Sequence, residues 1–343
     1  MTNHIHGAID MTHRIERAPS SIGAKSHHRI AVILPAYNEE LTIRQTIEDF
    51  HGALPEAHIV VVNNNSKDNT LNIATETVQR LRCGSVMTEL RQGKGNAVRR
   101  AFSDIDADVY LMADADMTYP SDQAIAMITP ILNNEADMVV GDRISDGDYE
   151  RENKRPLHSF GNSLVQRLVN TLFNSKLSDI MTGYRALSRK LVKNYPILVD
   201  GFQIETDLTL HALDKRFRII ELPIKYKDRP SGSFSKLNTL SDGAKVLWSI
   251  MRILRHYRPL QFFGGLALAF VLAGIVAAIP VLNDWVLYKY IYHVPLAILA
   301  TGCEIVAVLL LAIGLILDSI VHLQRFAYER EILAFEPRSD RAD

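Results

Sequence analysis

Asp114 and Asp116 stand two residues apart in the stretch Leu111-Met112-Ala113-Asp114-Ala115-Asp116-Met117-Thr118-Tyr119-Pro120. The apolar run from Val109 to Ala113 reads as the end of a buried strand, which Pro120 stops. Residues i and i+2 of a strand point the same way. Both carboxylates are therefore expected to aim at one point past the carboxyl end of the strand, where open α/β sheets bind ligands. Close carboxylates repel unless a cation lies between them. Mg²⁺ or Mn²⁺ suits such a pair and also takes phosphate oxygens from a substrate. Asp-x-Asp is equally common in solvated turns, so the reading depends on the neighbouring segments.

Those segments alternate between strands and helices. Ile30 to Leu34 reads as a strand ended by Pro35, and a helix runs from Asn38, its expected N-cap, to Phe50. His58 to Val62 is the next strand, closed by the polar turn Asn63-Asn64-Asn65-Ser66, and a helix covers about Asp68 to Arg82. Gly93-Lys94-Gly95-Asn96 opens a helix over Ala97 to Ile105. After the paired aspartates come a helix near Ser121 to Asn133, a strand over Asp137 to Val140, and Gly141-Asp142-Arg143. Further on, Leu157 to Phe173 and Ile204 to Leu213 read as helices, Ser178 to Arg185 as a polar turn, and Ile219 to Tyr226 as a strand. This order predicts an α/β fold with a mostly parallel sheet and helices on both faces. The first strand is followed by no Gly-x-Gly-x-x-Gly and the chain has no complete Walker A motif, so dinucleotide and P-loop readings fail.

The 343-residue chain carries a formal net charge of −1, which gives no electrostatic case for nucleic acid. Its two cysteines, Cys83 and Cys303, imply no disulfide framework. Residues 1–29 are polar and rich in His, lack an apolar signal-peptide core, and are expected to form a disordered tail.

Beyond a catalytic region spanning 30–239 the character changes. Over 240–259, Leu240, Ala244, Leu247, Met251 and Leu254 share a helical face while Lys245, Arg252 and His256 line another, as in a helix lying on a membrane. Residues 260–282 are uncharged and long enough to span a bilayer, and 294–318 form a second expected span containing Glu304. Glu304 is expected to bond to a neighbouring helix or subunit, or else to meet a lipid substrate. The aromatic link Asn283 to His293 has only Lys289, whereas Arg252, Arg255, Arg258, Arg325 and Arg330 flank the spans. The positive-inside rule then places the large domain, and a tail over 319–343, in the cytoplasm.

Together, Leu34-Pro35-Ala36-Tyr37-Asn38-Glu39, Asn63 to Thr70, Gly93-Lys94-Gly95, Asp114-Ala115-Asp116, Gly141-Asp142-Arg143, Asp179 to Arg185 and Arg229 to Lys236 resemble the family-2 glycosyltransferases with the GT-A fold. More narrowly they resemble membrane-anchored polyprenyl-phosphate glycosyltransferases, relatives of dolichyl-phosphate mannose synthase. The resemblance implies a nucleotide-sugar donor contacted by Pro35, Tyr37, Glu39, the turn at Asn64, Lys94 and Asp114, with the ion on Asp114 and Asp116. It also implies a homo-oligomer such as a tetramer, and transfer with inversion. A Gln that often supports the metal in relatives is Thr118 here, and acidic residues common in the base-contacting turn are Asn63, Asn64 and Asn65. Uracil presents one donor between two acceptors, which an Asn amide matches, so a UDP-hexose is favoured over GDP-mannose.

The expected acceptor is a polyprenyl monophosphate. Its second pKa is about 6, so it arrives largely dianionic and needs cations rather than a strong base. Arg143, Arg155, Arg229 and Lys236, with Ser233 and Ser235, can hold it. Asp179 is expected to orient acceptor or sugar, with Glu205 and Asp207 as competitors for that role. A sugar-nucleotidyltransferase, a processive polysaccharide synthase and a non-catalytic membrane scaffold are the rival readings.

Overall fold

The computed structural model describes residues 28–144, 156–197, 199–201, 203–226 and 251–335. Arg155, Arg229, Ser233, Ser235 and Lys236 lie outside them, as do residues 1–27 and the first part of the expected interfacial helix; 251–257 is helical.

The chain order is β1 (Ile30–Ala36), α1 (Ile43–Ala53), β2 (His58–Asn63), α2 (Thr70–Leu81), β3 (Gly84–Thr88), α3 (Lys94–Asp104), β4 (Val109–Met112), α4 (Ala124–Leu132) and β5 (Met138–Asp142). Then follow α5 (Pro156–Phe173), β6 (Arg185–Ser188), α6 (Arg189–Lys193), α7 (Ile204–Asp214), β7 (Ile219–Pro223), α8 (Pro259–Tyr288) and α9 (Val294–Ala334). The strands form a seven-stranded sheet in the order β3-β2-β1-β4-β6-β5-β7. Only β6 runs against its neighbours β4 and β5; the other pairings are parallel.

Both faces are covered, which is why the central strands are apolar throughout. Val32, Leu34 and Ala36 of β1 pack with α1, α2 and α4 on one face. Ala31 and Ile33 pack with α3, α6 and α7 on the other.

Several elements depart from expectation for identifiable reasons. Pro35 does not end β1: the strand continues to Ala36, pairing Pro35 with Val62 and Ala36 with Asn63 of β2. Pairing with β4 stops at Ile33 opposite Met112, so the missing Pro35 N–H falls past the end of that neighbour. Asn38 does not cap α1. It adopts φ +52°, and its side-chain oxygen accepts the Lys67 N–H at 2.8 Å. β3 was unexpected because it is a polar edge strand. Gly84 is required there, since a Cβ would lie 1.8 Å from the Ile59 carbonyl oxygen. β6 begins inside the expected polar turn, at a fully buried arginine.

α8 and α9 are each long and apolar enough to cross a membrane. They form a hairpin with small residues at its seam, including Ala267 and Gly274 on one helix and Ala300, Ala307 and Gly314 on the other. Glu304 lies against the neighbouring helix: a Cβ on Gly274 would stand 2.6 Å from Glu304 Oε1. The expected link is shorter than its sequence limits, because Asn283 to Tyr288 remain helical. Asp284 closes the turn by accepting the N–H groups of Tyr292 and His293 at 2.9 and 3.0 Å. The segment expected as a tail from 319 is helical to Ala334, and Tyr328 and Ile332 pack against the apolar cluster that includes α7.

Candidate active site

The site is built at the carboxyl ends of the parallel strands. β4 ends at Met112, so Asp114 and Asp116 occupy a turn rather than the strand, and strand alternation does not aim them. The turn is fixed by other means. Asp116 Oδ1 accepts from Thr118 N–H at 3.2 Å and from Thr118 Oγ1 at 2.6 Å. Thr42, just before α1, donates its hydroxyl to the Ala115 carbonyl at 2.7 Å. Met117 takes φ +63°, which reverses the chain. Asp116 ends up buried, and the Asp114 side chain stays 29 % exposed.

Lys94 opens α3, and its ammonium is shared by two carboxylates. It pairs with Asp114 and with Glu205 of α7, the latter at 2.5 Å. Burial disfavours the Lys94 charge, but Asp114 and Glu205 outweigh it and hold the group above the usual lysine range. The flanking glycines serve packing. A Cβ on Gly93 or Gly95 would stand 2.0 Å from the carbonyl oxygen of Asp200 or Val199, respectively. Gly183 is required on the opposite side, since its Cβ would meet Lys94 Nζ at 2.9 Å and both Asp114 oxygens at 3.2 Å.

A second ionic group lies on the β5–β7 side. Arg143 grips Asp179 with two N–H groups, Nε to Oδ2 at 2.7 Å and Nη2 to Oδ1 at 3.1 Å. Its guanidinium also sits 5.4 Å from the Tyr226 ring centroid. Glu221 of β7 fixes the turn from below, accepting the N–H groups of Ser178 at 2.8 Å and Asp179 at 3.0 Å. Burial raises the Glu221 carboxyl, with the Asp179 and Ser178 N–H groups opposing the shift.

Three residues that sequence reasoning did not single out complete the site. Tyr119 stands between the ionic groups, and its hydroxyl oxygen accepts the Gly183 N–H at 2.8 Å. Arg185 is fully buried and donates to the carbonyls of Thr182 and Ile180 and to Thr209 Oγ1. Burial lowers its pKa while Glu205 and Asp179 oppose the shift. The third is Glu221. Its signal was a charge inside the otherwise apolar strand Ile219–Pro223.

Other expected residues are placed differently. Asp207 lies apart from the Lys94 cluster, accepting the Tyr195 hydroxyl at 2.8 Å, so it does not share a position with Glu205. Asn64 is buried and its amide is spent on backbone. Nδ2 donates to the carbonyls of Glu89 and Arg91, and Oδ1 accepts from Gly93 N–H at 2.7 Å. This removes the hydrogen-bonding argument that Asn64 reads a base. Asn63 is buried with its side-chain oxygen on Ser66 N–H, which leaves Asn65 as the exposed amide of the triplet. Tyr37 and Glu39 are half-buried in the loop after β1.

Among the described residues no three His, Cys, Asp or Glu side chains converge as a metal cage. Asp114 and Asp116 still fit a divalent cation that takes one or two carboxylates and completes its shell with water and substrate phosphate. Thr118 donates its hydroxyl proton to Asp116 Oδ1 and so helps to hold that carboxylate.

A family model for glycosyl transferase family 2 matches residues 31–195. Glycosyltransferase AglJ of Haloferax volcanii is 30% identical over 305 residues, covering 88% of this chain and 96% of that protein. The dolichyl-phosphate hexose transferase of Haloferax volcanii is 29% identical over 229 residues, covering 67% of this chain and 95% of that protein. Glucosyl-3-phosphoglycerate synthase from Mycobacterium tuberculosis, solved with Mn²⁺, uridine diphosphate and phosphoglyceric acid, is similar with TM-score 0.52 at 20% identity. That likeness covers 67% of this chain and 78% of the solved one, and it concerns the fold. With a site at the carboxyl edge of this sheet and a relative matched over nearly its whole length, the chain belongs to glycosyl transferase family 2 and is a glycosyltransferase of the GT-A fold.

Proposed function

We propose that this glycosyltransferase moves a hexose from a nucleotide sugar to a polyprenyl monophosphate at the cytoplasmic face of a membrane, inverting the sugar linkage. One observation carries the reading. The chain that holds Lys94 between Asp114 and Glu205 at the sheet edge continues into a hairpin apolar enough to cross a membrane, and that hairpin docks back onto the same domain. The dolichyl-phosphate hexose transferase among its relatives supports the same acceptor class.

Asp114 and Asp116 would hold Mg²⁺ or Mn²⁺, which when bound supplies charge neutralisation for the leaving diphosphate. Lys94 adds a fixed positive charge beside them, and Glu205 keeps it in place. Pro35, Tyr37 and Glu39 line the nucleoside side. A UDP-hexose is favoured, with Asn65 as the amide that can match uracil; GDP-mannose is the alternative donor. On the acceptor side, Arg143 faces the phosphate, aided by Arg155, Arg229, Ser233, Ser235 and Lys236. Asp179 orients the reaction centre through Arg143. The dianionic acceptor attacks the anomeric carbon, the bond to the diphosphate breaks, and no strong base is required. The arginines flanking the hairpin place the catalytic domain in the cytoplasm. The chain assembles as a homo-oligomer, which can cover Glu304, exposed on the hairpin.

The test is mass spectrometry of lipid products after the purified chain meets polyprenyl phosphate and a panel of UDP- and GDP-sugars. A hexosyl phospholipid together with free nucleoside diphosphate is expected. Release of pyrophosphate would instead establish a nucleotidyltransferase, and indifference to prenyl phosphates would overturn the reading. Tighter competition by GDP than by UDP would transfer the donor assignment to GDP-mannose.

A further inference from the structure

Helix α7 touches a different partner at each end. Near its start, Glu205 holds Lys94 at 2.5 Å, and Thr209 one turn on accepts from Arg185 at 2.8 Å. At its far end it meets the part of α9 that continues past the apolar stretch. Arg325 Nε and Nη2 donate to Asp214 Oδ1 at 2.9 and 2.5 Å. The Tyr328 hydroxyl donates to the Asn194 carbonyl at 3.1 Å and lies 3.0 Å from His211 Nε2. A hydroxyl has one proton and a carbonyl can only accept. Tyr328 therefore accepts from His211, whose ring proton is on Nε2. Lys215 Nζ stands 4.8 Å from the Tyr328 ring centroid. Tyr328 and Ile332 pack on the cluster that contains Ile204, Leu208 and Ala212 of α7.

Such contacts fix both the rotation and the height of α7. A helix is stiff along its axis, and a close-packed interior transmits displacement rather than absorbing it. From Glu205 to Asp214 the axial distance is about 13 Å at 1.5 Å per residue. We infer that the extension of α9 positions the donor-side cluster through α7, so that docking of the membrane hairpin sets where Glu205 holds Lys94. Asp214, Arg325, His211 and Tyr328 are then positioning residues. The arrangement answers a need of a reaction between a soluble donor and a lipid-borne acceptor, because the hairpin sets the height of the donor cluster above the bilayer. The inference rests on reading the Lys94 cluster as the donor site.

The test uses the full chain in lipid nanodiscs, with Arg325→Gln, the milder Tyr328→Phe, and the charge swap Asp214→Arg with Arg325→Asp. Two readouts are taken, steady-state kinetics and amide hydrogen exchange. Arg325→Gln is expected to raise KM for the nucleotide sugar about fivefold, the scale of one partly exposed ion pair, with a smaller change in KM for the lipid, whose side of the site meets α7 only through Ile180. Tyr328→Phe shifts it in the same direction by less, and the swap brings the donor KM back. Exchange is expected to quicken over 204–214 and 93–97 but not in α1 or α2. Faster exchange confined to 320–335, with donor KM unchanged, would overturn the inference. A uniform loss of protection across the sheet, with both KM values shifted alike, would reduce these residues to general stabilisers and overturn it as well. If wild-type protein forms no lipid product, the functional reading fails, and the exchange pattern alone decides whether α9 positions the Lys94 cluster.

Discussion

Two ionic groups share the carboxyl edge of the sheet, and they are built on opposite plans. On the side proposed for the donor one ammonium serves two carboxylates, and Asp114 keeps 29 % of its side chain exposed. On the side proposed for the acceptor one guanidinium closes on one carboxylate through two hydrogen bonds, and the Asp179 side chain is only 3 % exposed. The first group has an excess of negative charge facing open space and can take another cation. The second matches one positive charge to one negative charge through two hydrogen bonds that fix the direction of the Arg143 guanidinium. A carboxylate in the first group is thus suited to bind, and the carboxylate in the second to position.

This contrast predicts unequal losses. Asp114→Asn removes the exposed charge from the donor-side group, and turnover should fall about 100- to 1000-fold, the scale of losing one electrostatic contact at the reacting charge. Chelation of divalent cations should abolish wild-type transfer, with Mg²⁺ or Mn²⁺ restoring it. Full activity in chelator would remove the open group's main purpose. Next in size come Asp179→Asn and Glu205→Gln, each expected to lower turnover about 10- to 100-fold by loosening a catalytic cation. They should differ in kind. Asp179→Asn should raise KM for the lipid, whereas Glu205→Gln should raise KM for the nucleotide sugar. Normal turnover in Asp179→Asn beside an inactive Glu205→Gln would reverse the assignment of the central carboxylate.

Stability should separate the groups too. Lys94→Met leaves Glu205 and Asp114 without their shared cation. Stranding a buried charge costs about 3–5 kcal/mol, a deficit visible in denaturant unfolding of the full chain in detergent. Adding Glu205→Gln to Lys94→Met should recover part of that loss. No recovery would show that Lys94 acts through packing rather than charge. Asn64→Ala should cost about 1–3 kcal/mol by stranding the backbone groups of residues 89–93. Donor-base preference should stay unchanged, since the Asn64 amide is spent on that loop.

Much of this was legible from residue order. The strands of the parallel half are apolar because both faces are covered, so β1, β2, β4 and β5 could be read directly. β3 and β6 could not: one is a polar edge strand, and the other starts at a buried Arg185 whose partners come from distant segments. At the site, residue types pointed to Asp114 with Asp116 and to Arg143, because paired carboxylates at a strand end suit a cation and a phosphate needs positive charge, and the family resemblance added Lys94 and Asp179. Their pairing was not legible. That Lys94 chooses Asp114 and Glu205, and Arg143 chooses Asp179, depends on contacts between residues 20 to 111 positions apart. Asn64 shows the opposite error, since a side chain suited to reading a base is spent tying two loops.

The last effect lies away from both groups and asks whether the donor-side helix is held from outside. His211 is buried, and burial, with Lys215 adding to it and Asp214 opposing, lowers its pKa from 6.5 to about 4. In the unfolded chain the ring protonates as pH falls through about 6.5. In the folded chain it stays neutral until about pH 4. The unfolded state therefore binds more protons within that window, so stability is full above it and declines as pH falls. From pH 7 to pH 5 this one group should cost roughly 2 kcal/mol. His211→Gln can keep a hydrogen bond to the Tyr328 hydroxyl but has no titrating ring. It should lose less stability than wild type over the same pH step in matched detergent. Glu205 of α7 holds Lys94 directly, whereas the turn of Asp179 meets α7 only through Ile180, which Thr209 and Arg185 bind, so donor KM should rise with acid by more than lipid KM. Equal acid sensitivity in wild type and His211→Gln would mean that the far end of α7 does not depend on a neutral imidazole.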